Sequence, residues 1–319
     1  MRAQIEALDP DAIVLVAGEL WPNLVWIAAE RGVPVAQACG RLAGGSARLE
    51  RRARALTSRL YRDFRAIGVV TEEDAALALD LGVSREAVAV TGDTRIDATL
   101  ARVEEAASLP PVWGPPPGAG PVVVAGSTWP ADEAVVLPAV ARLRERHPGL
   151  VAVIAPHEPS DAAVRRIERA ARASGLSATR LVPAGAPGSS RRADGEPSAA
   201  VRIVDRVGLL YRLYDQAQAA YVGGGFAGSV HNTMEPAAQG VPQAVGPTHG
   251  APAEVTALAR AGGLAVVDSA DTLAARWGAW LDDPVEGRRA GAAAKAELAR
   301  SRGATARTLA FFRERGIPV

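Results

Sequence analysis

Residues 223–240 read GGGFAGSVHNTMEPAAQG and follow the apolar run AAYV. Glycines at the end of a strand let the backbone turn sharply or come close to a ligand. The pattern predicts a helix starting near Asn232, whose free N–H groups and dipole favour an anion such as phosphate. Glu235 falls one turn further along the same helix face. A carboxylate there repels phosphate but can accept hydrogen bonds from ribose hydroxyls. The same two residues also fit a capping box, with Asn232 as the cap and Glu235 reaching back to it. Capping accounts for the Asn and the Glu but not for the glycines or His231, so both readings stand.

Other segments place polar residues directly after apolar runs. In AGSTWPADE (125–133), Ser127 and Thr128 can cap the next helix or bind a ligand. In APHEPSD (155–161), His157 and Glu158 form a pair too small to define a metal site, and no metal is expected. In GELWPN (18–23), Glu19 follows the first apolar run, and Trp21 and Pro22 open a helix. TGDTRID (91–97) carries Asp93, Arg95 and Asp97, and surface ion pairing is the expectation for Asp97. The stretch 46–64 has Arg48, Arg51, Arg52, Arg54, Arg59 and Arg62, with Arg65 beyond, against only Glu50 and Asp63. Such a run is a solvated face or a surface for anionic lipid or phosphate. No Walker loop, GxSxG or HExxH occurs, the run from Gly223 to Gly225 is not read as a GxGxxG because of Ala227 and Gly228, and no nicotinamide cofactor is expected.

These residues need elements to position them. DAIVLVA (11–17), VPVAQA (33–38), AIGVV (66–70) and VAVTG (88–92) read as strands. Between them, 21–32, 46–64 and 72–83 read as helices. This alternation argues for a parallel α/β sheet. SLPPVWGPPPGAGP (108–121) breaks the pattern and is read as an interdomain linker. A second alternation follows: strand PVVVAGS, a helix, strand LVAVIAP, a helix, strand RIVD, a helix and strand AAYV. Residues 183–199 read as a polar mobile loop, and 285–315 as helix. The expected organisation is a partial first domain over 1–109, a linker over 110–120, a second domain over 121–300 and a helical tail over 301–319. Ligands of open α/β sheets bind at the carboxyl ends of strands, here in a cleft expected between the two domains.

The whole chain sets further bounds. Its 319 residues suit two domains, and 48% hydrophobic residues suffice for two cores. A net charge of +1 gives no sign of nucleic acid as a partner. The basic residues are Arg apart from Lys295, as expected from genomic base composition. Cys39 is the only cysteine, which excludes an intrachain disulfide and fits a reducing compartment. No apolar run reaches the roughly 18 residues of a membrane span, and the N-terminus does not read as a signal peptide. A soluble intracellular protein is expected.

ELWPN, GDTRID, GSTWPADE, APHEP and GGGFAGSVHNTMEPAAQGVP occur in this order over about residues 9–283. In this wording the chain resembles the Kdo transferases, which move 3-deoxy-D-manno-octulosonic acid (Kdo) from CMP-Kdo onto a lipid A precursor in lipopolysaccharide biosynthesis. The resemblance implies an α/β fold of GT-B type, with two Rossmann-like domains facing a cleft and the nucleotide held by the second. It implies an inverting, metal-independent transfer with no cofactor beyond the donor. It assigns Ser127, Pro156, His157, Gly224, Gly225, His231, Asn232, Thr233 and Glu235 to the donor, and Glu19 to catalysis. Arg41, Arg48, Arg51 and Arg52 fall on the acceptor or membrane side. It also implies a cytoplasmic enzyme, peripheral on an anionic inner-membrane face.

The wording departs from the family in places. Ala17 stands where the family's ETELWPN has its first Glu, and Cys39 where a NARLS segment has its Asn. His157 stands where other branches carry Arg. Family members also carry more N-terminal sequence, including a Gly-Glu motif with the catalytic base. The chain therefore reads as a truncated transferase, with apolar surface exposed in the first domain. The alternatives are a natural CMP-sugar-binding protein without transferase activity, or a UDP-sugar enzyme of similar fold.

Overall fold

Short β-branched runs separated by Ala-rich amphipathic stretches can bury both faces of a strand only when helices cover the sheet on both sides. The computed structural model of the chain describes residues 1–18, 20–42, 51–115, 118–183, 199–248 and 253–319. Glu19 and Arg48 lie outside the described residues, as do residues 184–198 of the expected polar segment, and the side chains of Arg51 and Arg52 are likewise not described. The described chain forms two compact units, Met1–Ala98 with Ser301–Val319, and Thr99–Arg300. Both are parallel α/β sheets, so the fold is of the two-unit GT-B type.

The first unit runs α1 (Arg2–Leu8), β1 (Ile13–Val16), α2 (Pro22–Glu30), β2 (Val35–Gly40), α3 (Arg51–Arg62), β3 (Phe64–Val69), α4 (Glu72–Asp80) and β4 (Val88–Val90). Helix α5 (Thr94–Ala106) crosses from the first unit into the second. The sheet order is β1-β2-β3-β4, wound in one direction. Central β2 is buried throughout, whereas edge strand β1 leaves Val14 39% and Val16 50% exposed.

The tail over 301–319 is helical in α13 (Ala304–Glu314) and packs within the first unit. The TGDTRID segment holds it there. Gly303 is the N-cap of α13 and has no side chain to offer. Asp97 supplies the cap instead, accepting from the Gly303 N–H (2.7 Å) and the Thr305 N–H (2.6 Å). Thr91 accepts from the Thr308 hydroxyl (2.9 Å) and, at its carbonyl, from Arg307 Nε (3.1 Å). The surface ion pairing expected at Asp97 is thus corrected to a helix cap. Burial pushes the Asp97 carboxyl up, but the bonds from Thr305 and Gly303 outweigh it and hold it below the ordinary carboxylate range.

The second unit runs β5 (Val122–Thr128), α6 (Pro130–Arg146), β6 (Val151–Pro156), α7 (Asp161–Ala173), β7 (Ala178–Arg180), β8 (Val201–Ile203), α8 (Leu210–Leu213), β9 (Ala219–Val222), α9 (Met234–Gln239), β10 (Gln243–Val245), α10 (Ala253–Arg260), β11 (Leu264–Val266), α11 (Ala270–Asp282) and α12 (Pro284–Arg300). Its sheet order is β11-β10-β9-β5-β6-β8-β7, all parallel. From β5 the chain winds outward through β6 to β7 and β8, then returns to the other side of β5 as β9. Neighbouring strands β5 and β9 therefore send their following segments to opposite faces. That is the topological switch point, where open α/β sheets leave a crevice beyond the strand ends.

Candidate functional site

The carboxyl ends of β5, β6 and β9 meet at this crevice. The Gly-rich turn after β9 is packed against the residues that end β5. Gly223 donates its N–H to the Gly126 carbonyl (2.8 Å), and a Cβ on Gly223 would collide with the Ser127 carbonyl. Gly224 sits at φ +99°, and a Cβ there would strike the Ser229 carbonyl. Gly225 abuts the backbone of Gly246. Ser127 itself is left-handed (φ +54°), an uncommon state for a residue with a side chain, and sits at the register break between Gly126 and Thr128 in the β5–β6 pairing. The glycines are thus required first by the close approach of this chain to itself.

One buried carboxylate organises the turn. Asp132, in the first turn of α6, is fully buried. Its oxygens accept from the Gly224 N–H (2.9 Å), the Trp129 N–H (2.8 Å), the Tyr221 hydroxyl (2.7 Å) and, more weakly, the Phe226 N–H (3.4 Å). Burial, with the Asp132 charge beside it, pushes the Tyr221 hydroxyl far above its usual range, so it stays a donor. Gly223, Gly225 and Gly228 do keep the G-x-G-x-x-G spacing. However, the helix of a dinucleotide turn must follow at once, and here α9 starts only at Met234.

Above the turn lie three stacked rings. His157, exposed just beyond β6, packs on His231 with centroids 4.1 Å apart and planes 13° apart. Trp129 stacks on His157 at 4.7 Å. The Trp129 indole N–H also donates to His231 Nε2 (2.8 Å). Backbone bonds set both histidines: His157 N–H to the Thr128 carbonyl and His231 N–H to the Gly223 carbonyl, each 3.0 Å. Burial, then the neighbouring His157, lowers the His231 pKa, against a smaller opposite pull from Asp132.

The remaining expected donor residues lie on the same segment. Pro156 is buried as the last residue of β6. Asn232 Oδ1 accepts from the Met234 N–H (3.0 Å), but α9 starts at Met234 with Thr233 as its N-cap, so the expected helix start and capping box at Asn232 are corrected to a turn one residue before the cap. Thr233 is buried, and its carbonyl accepts from Gln243 Nε2 (3.0 Å), while its hydroxyl has no partner among the described residues. Glu235 lies 3.5 Å from Arg102 Nη1. Burial raises the Glu235 carboxyl above its ordinary range, partly opposed by Arg102 and by a hydrogen bond from Asn232. Its charge reaches Tyr214, whose hydroxyl fills the space a Gly126 Cβ would take.

Trp129, Asp132 and Arg102 escape a reading of the sequence. The signal for Asp132 was its position three residues after Trp129, that of a capping carboxylate, but its four donors come mostly from a segment 89–94 residues away. In the first unit, Arg41 is bound to buried Asp93 (2.7 Å), which Arg95 also holds (2.6 Å). Burial pushes the Asp93 carboxyl up, but Arg95 and Arg41 together hold it below the ordinary range. The described residues contain no group of three metal-ligating side chains, and no helix among them is long and apolar enough to cross a membrane.

Comparison with known proteins fits this geometry. A family model for 3-deoxy-D-manno-octulosonic-acid transferase (kdotransferase) matches residues 1–98. The 3-deoxy-D-manno-octulosonic acid transferase of Bordetella pertussis is 30% identical over 313 residues, covering 94% of this chain and 68% of that protein. The chain spans 54–70% of the length of the curated relatives it matches. Among solved structures, the C-terminal CMP-Kdo binding domain of WaaA from Acinetobacter baumannii is 24% identical with a TM-score of 0.50, covering 62% of this chain and 98% of that one. The UDP-GlcNAc 2-epimerase of Neisseria meningitidis is 14% identical with a TM-score of 0.65, covering 98% of this chain and 78% of that one. Both likenesses are of fold. Similarity to the Bordetella protein over 94% of this chain, with a two-unit parallel α/β architecture, shows that this chain belongs to the 3-deoxy-D-manno-octulosonic acid transferase family of GT-B glycosyltransferases.

Proposed function

We propose that the second unit binds a CMP-activated sugar, CMP-Kdo, in the crevice at the β5–β9 switch point. The observation that carries this reading is the convergence there of Ser127, His157, His231 and the Glu235 segment from three strand ends. The stacked rings offer a flat apolar wall, the half-buried carboxylate an acceptor for ribose hydroxyls. The likeness of this unit to a CMP-Kdo binding domain supports the nucleotide assignment.

The reaction we assign is transfer of Kdo to a lipid A precursor. An acceptor hydroxyl oxygen bonds to the anomeric carbon, the bond from that carbon to the CMP phosphate oxygen breaks, and the electron pair leaves with CMP. The hydroxyl proton passes to a carboxylate base. Glu19 is assigned to catalysis but not as that base, which the family carries in its Gly-Glu motif, and Arg41, Arg48, Arg51 and Arg52 are assigned to the acceptor or anionic membrane side.

A second reading is a nucleotide-sugar-binding chain that does not transfer, or one that uses a UDP-sugar. The fold likeness to a UDP-GlcNAc 2-epimerase favours the second form. Isothermal titration with CMP and UDP separates the donors: tighter binding of CMP is expected, and preference for UDP overturns the CMP assignment. Incubation with CMP-Kdo and a lipid A precursor separates transfer from binding alone. CMP binding without release of a glycosylated product leaves the non-transferring form.

A further inference from the structure

An indole N–H can only donate a hydrogen bond. The Trp129 Nε1–His231 Nε2 contact of 2.8 Å therefore makes Nε2 the acceptor, and the single proton of the neutral ring resides on Nδ1. Stacking on His157 at 4.1 Å fixes the plane of the ring, and the backbone bond to Gly223 fixes its root. Among the described residues nothing accepts from His231 Nδ1, so an oriented N–H is left open above the Gly-rich turn. The ionisable groups acting on the ring are His157, stacked on it, and Asp132, below it; burial and His157 both favour the neutral form.

We propose that Trp129 is a positioning residue that locks His231 in the Nδ1–H tautomer, so that a neutral imidazole donates to a phosphate oxygen of the nucleotide. This deepens the donor-site reading given above and rests on it. A neutral donor suits the crevice. It needs no buried positive charge beside His157, and it leaves the charge of the departing phosphate to be met without a change of protonation.

Long-range ¹⁵N–¹H correlation spectra of the histidine rings in the whole chain read the tautomer directly. The wild type is expected to show His231 as Nδ1–H. Trp129→Phe keeps a ring in the stack and removes the N–H. It is expected to give mixed His231 tautomers, a raised His231 pKa, and CMP binding weakened about 3- to 10-fold, the loss of one oriented neutral hydrogen bond. CMP affinity in the variant should also become pH-dependent near neutrality, which a purely structural role would not produce. Cytidine, which lacks the phosphate, should bind both proteins alike. An Nε2–H tautomer in the wild type overturns the lock, whether or not the variant folds. An unchanged tautomer and unchanged CMP affinity in Trp129→Phe overturn it as well. Equal losses for cytidine and CMP overturn the phosphate contact. Nδ1–H in a wild type that binds no CMP overturns the nucleotide reading, and the role of Trp129 with it, and is told apart from failure of the lock by the tautomer itself.

Discussion

The two sheets use the same kind of strand-end motif for opposite purposes. In the first unit, TGDTRID spends its polar atoms on its own chain. Asp97 caps α13, Thr91 binds Thr308 and Arg307, and Asp93 is enclosed by Arg41 and Arg95. In the second unit, Asp132 spends its oxygens on the turn after β9, while the His157 ring and His231 Nδ1 have no hydrogen-bond partner among the described residues. The winding of the sheets explains the contrast. The first runs β1-β2-β3-β4 without a change of direction, whereas the second reverses beside β5. A crevice forms where the winding reverses. Polar motifs at strand ends are therefore read best against topology, since the same residue types serve as fastenings on one sheet and line a crevice on the other.

That comparison breaks most readily at Asp132. Asp132→Ala leaves several buried donors without an acceptor, at about 1–3 kcal/mol each. A loss of about 3 kcal/mol or more in urea unfolding is expected, together with loss of CMP binding. A stable variant that keeps CMP affinity would show that the turn does not depend on this carboxylate. Glu235→Ala should instead act on binding, weakening CMP by about 1–3 kcal/mol, the cost of a charged hydrogen bond, with little change in unfolding. Unchanged CMP affinity there removes Glu235 from the site.

Asp97→Ala tests the fastening side. Loss of a helix cap costs about 0.5–2 kcal/mol and should expose residues 301–319 to limited proteolysis without altering CMP affinity in the second unit. Weakened CMP binding with an intact tail would contradict this division of labour.

Acidity sharpens the contrast further. Asp93 and Asp97 titrate below the ordinary carboxylate range when folded, so their stabilisation is complete above the unfolded pKa and is lost as the pH falls through the lower folded values. Glu235 has the opposite sign. Its raised pKa means the folded chain binds the proton more tightly, so its contribution falls as the pH rises from the unfolded value through the folded one. Glu235→Gln should abolish that small decline, whereas Asp97→Asn should flatten the loss in acid. Urea midpoints measured from pH 3 to pH 7 check both, and a Glu235→Gln profile identical to wild type would contradict the burial of that carboxylate.

Much of this molecule is legible along the chain. The runs DAIVLVA, AIGVV and LVAVIAP became β1, β3 and β6, and the amphipathic stretches after them became helices, because strand and helix periodicity are set by neighbouring residues. The segment with His231, Asn232 and Glu235 stands out as a candidate site from its residue types and wording. Short β7, the seven-residue α1 and helix α5 went unread, the first two too brief for a periodic signal and the last hidden within TGDTRID. The tertiary structure alone decided three things: that the second sheet reverses at β5, that Asp97 caps a helix more than 200 residues away, and that Trp129 meets His231 across 102 residues. Local dihedral preference and hydrophobic period carry no record of such distances. They are fixed when both faces of each sheet are buried and every enclosed polar group has found its partner.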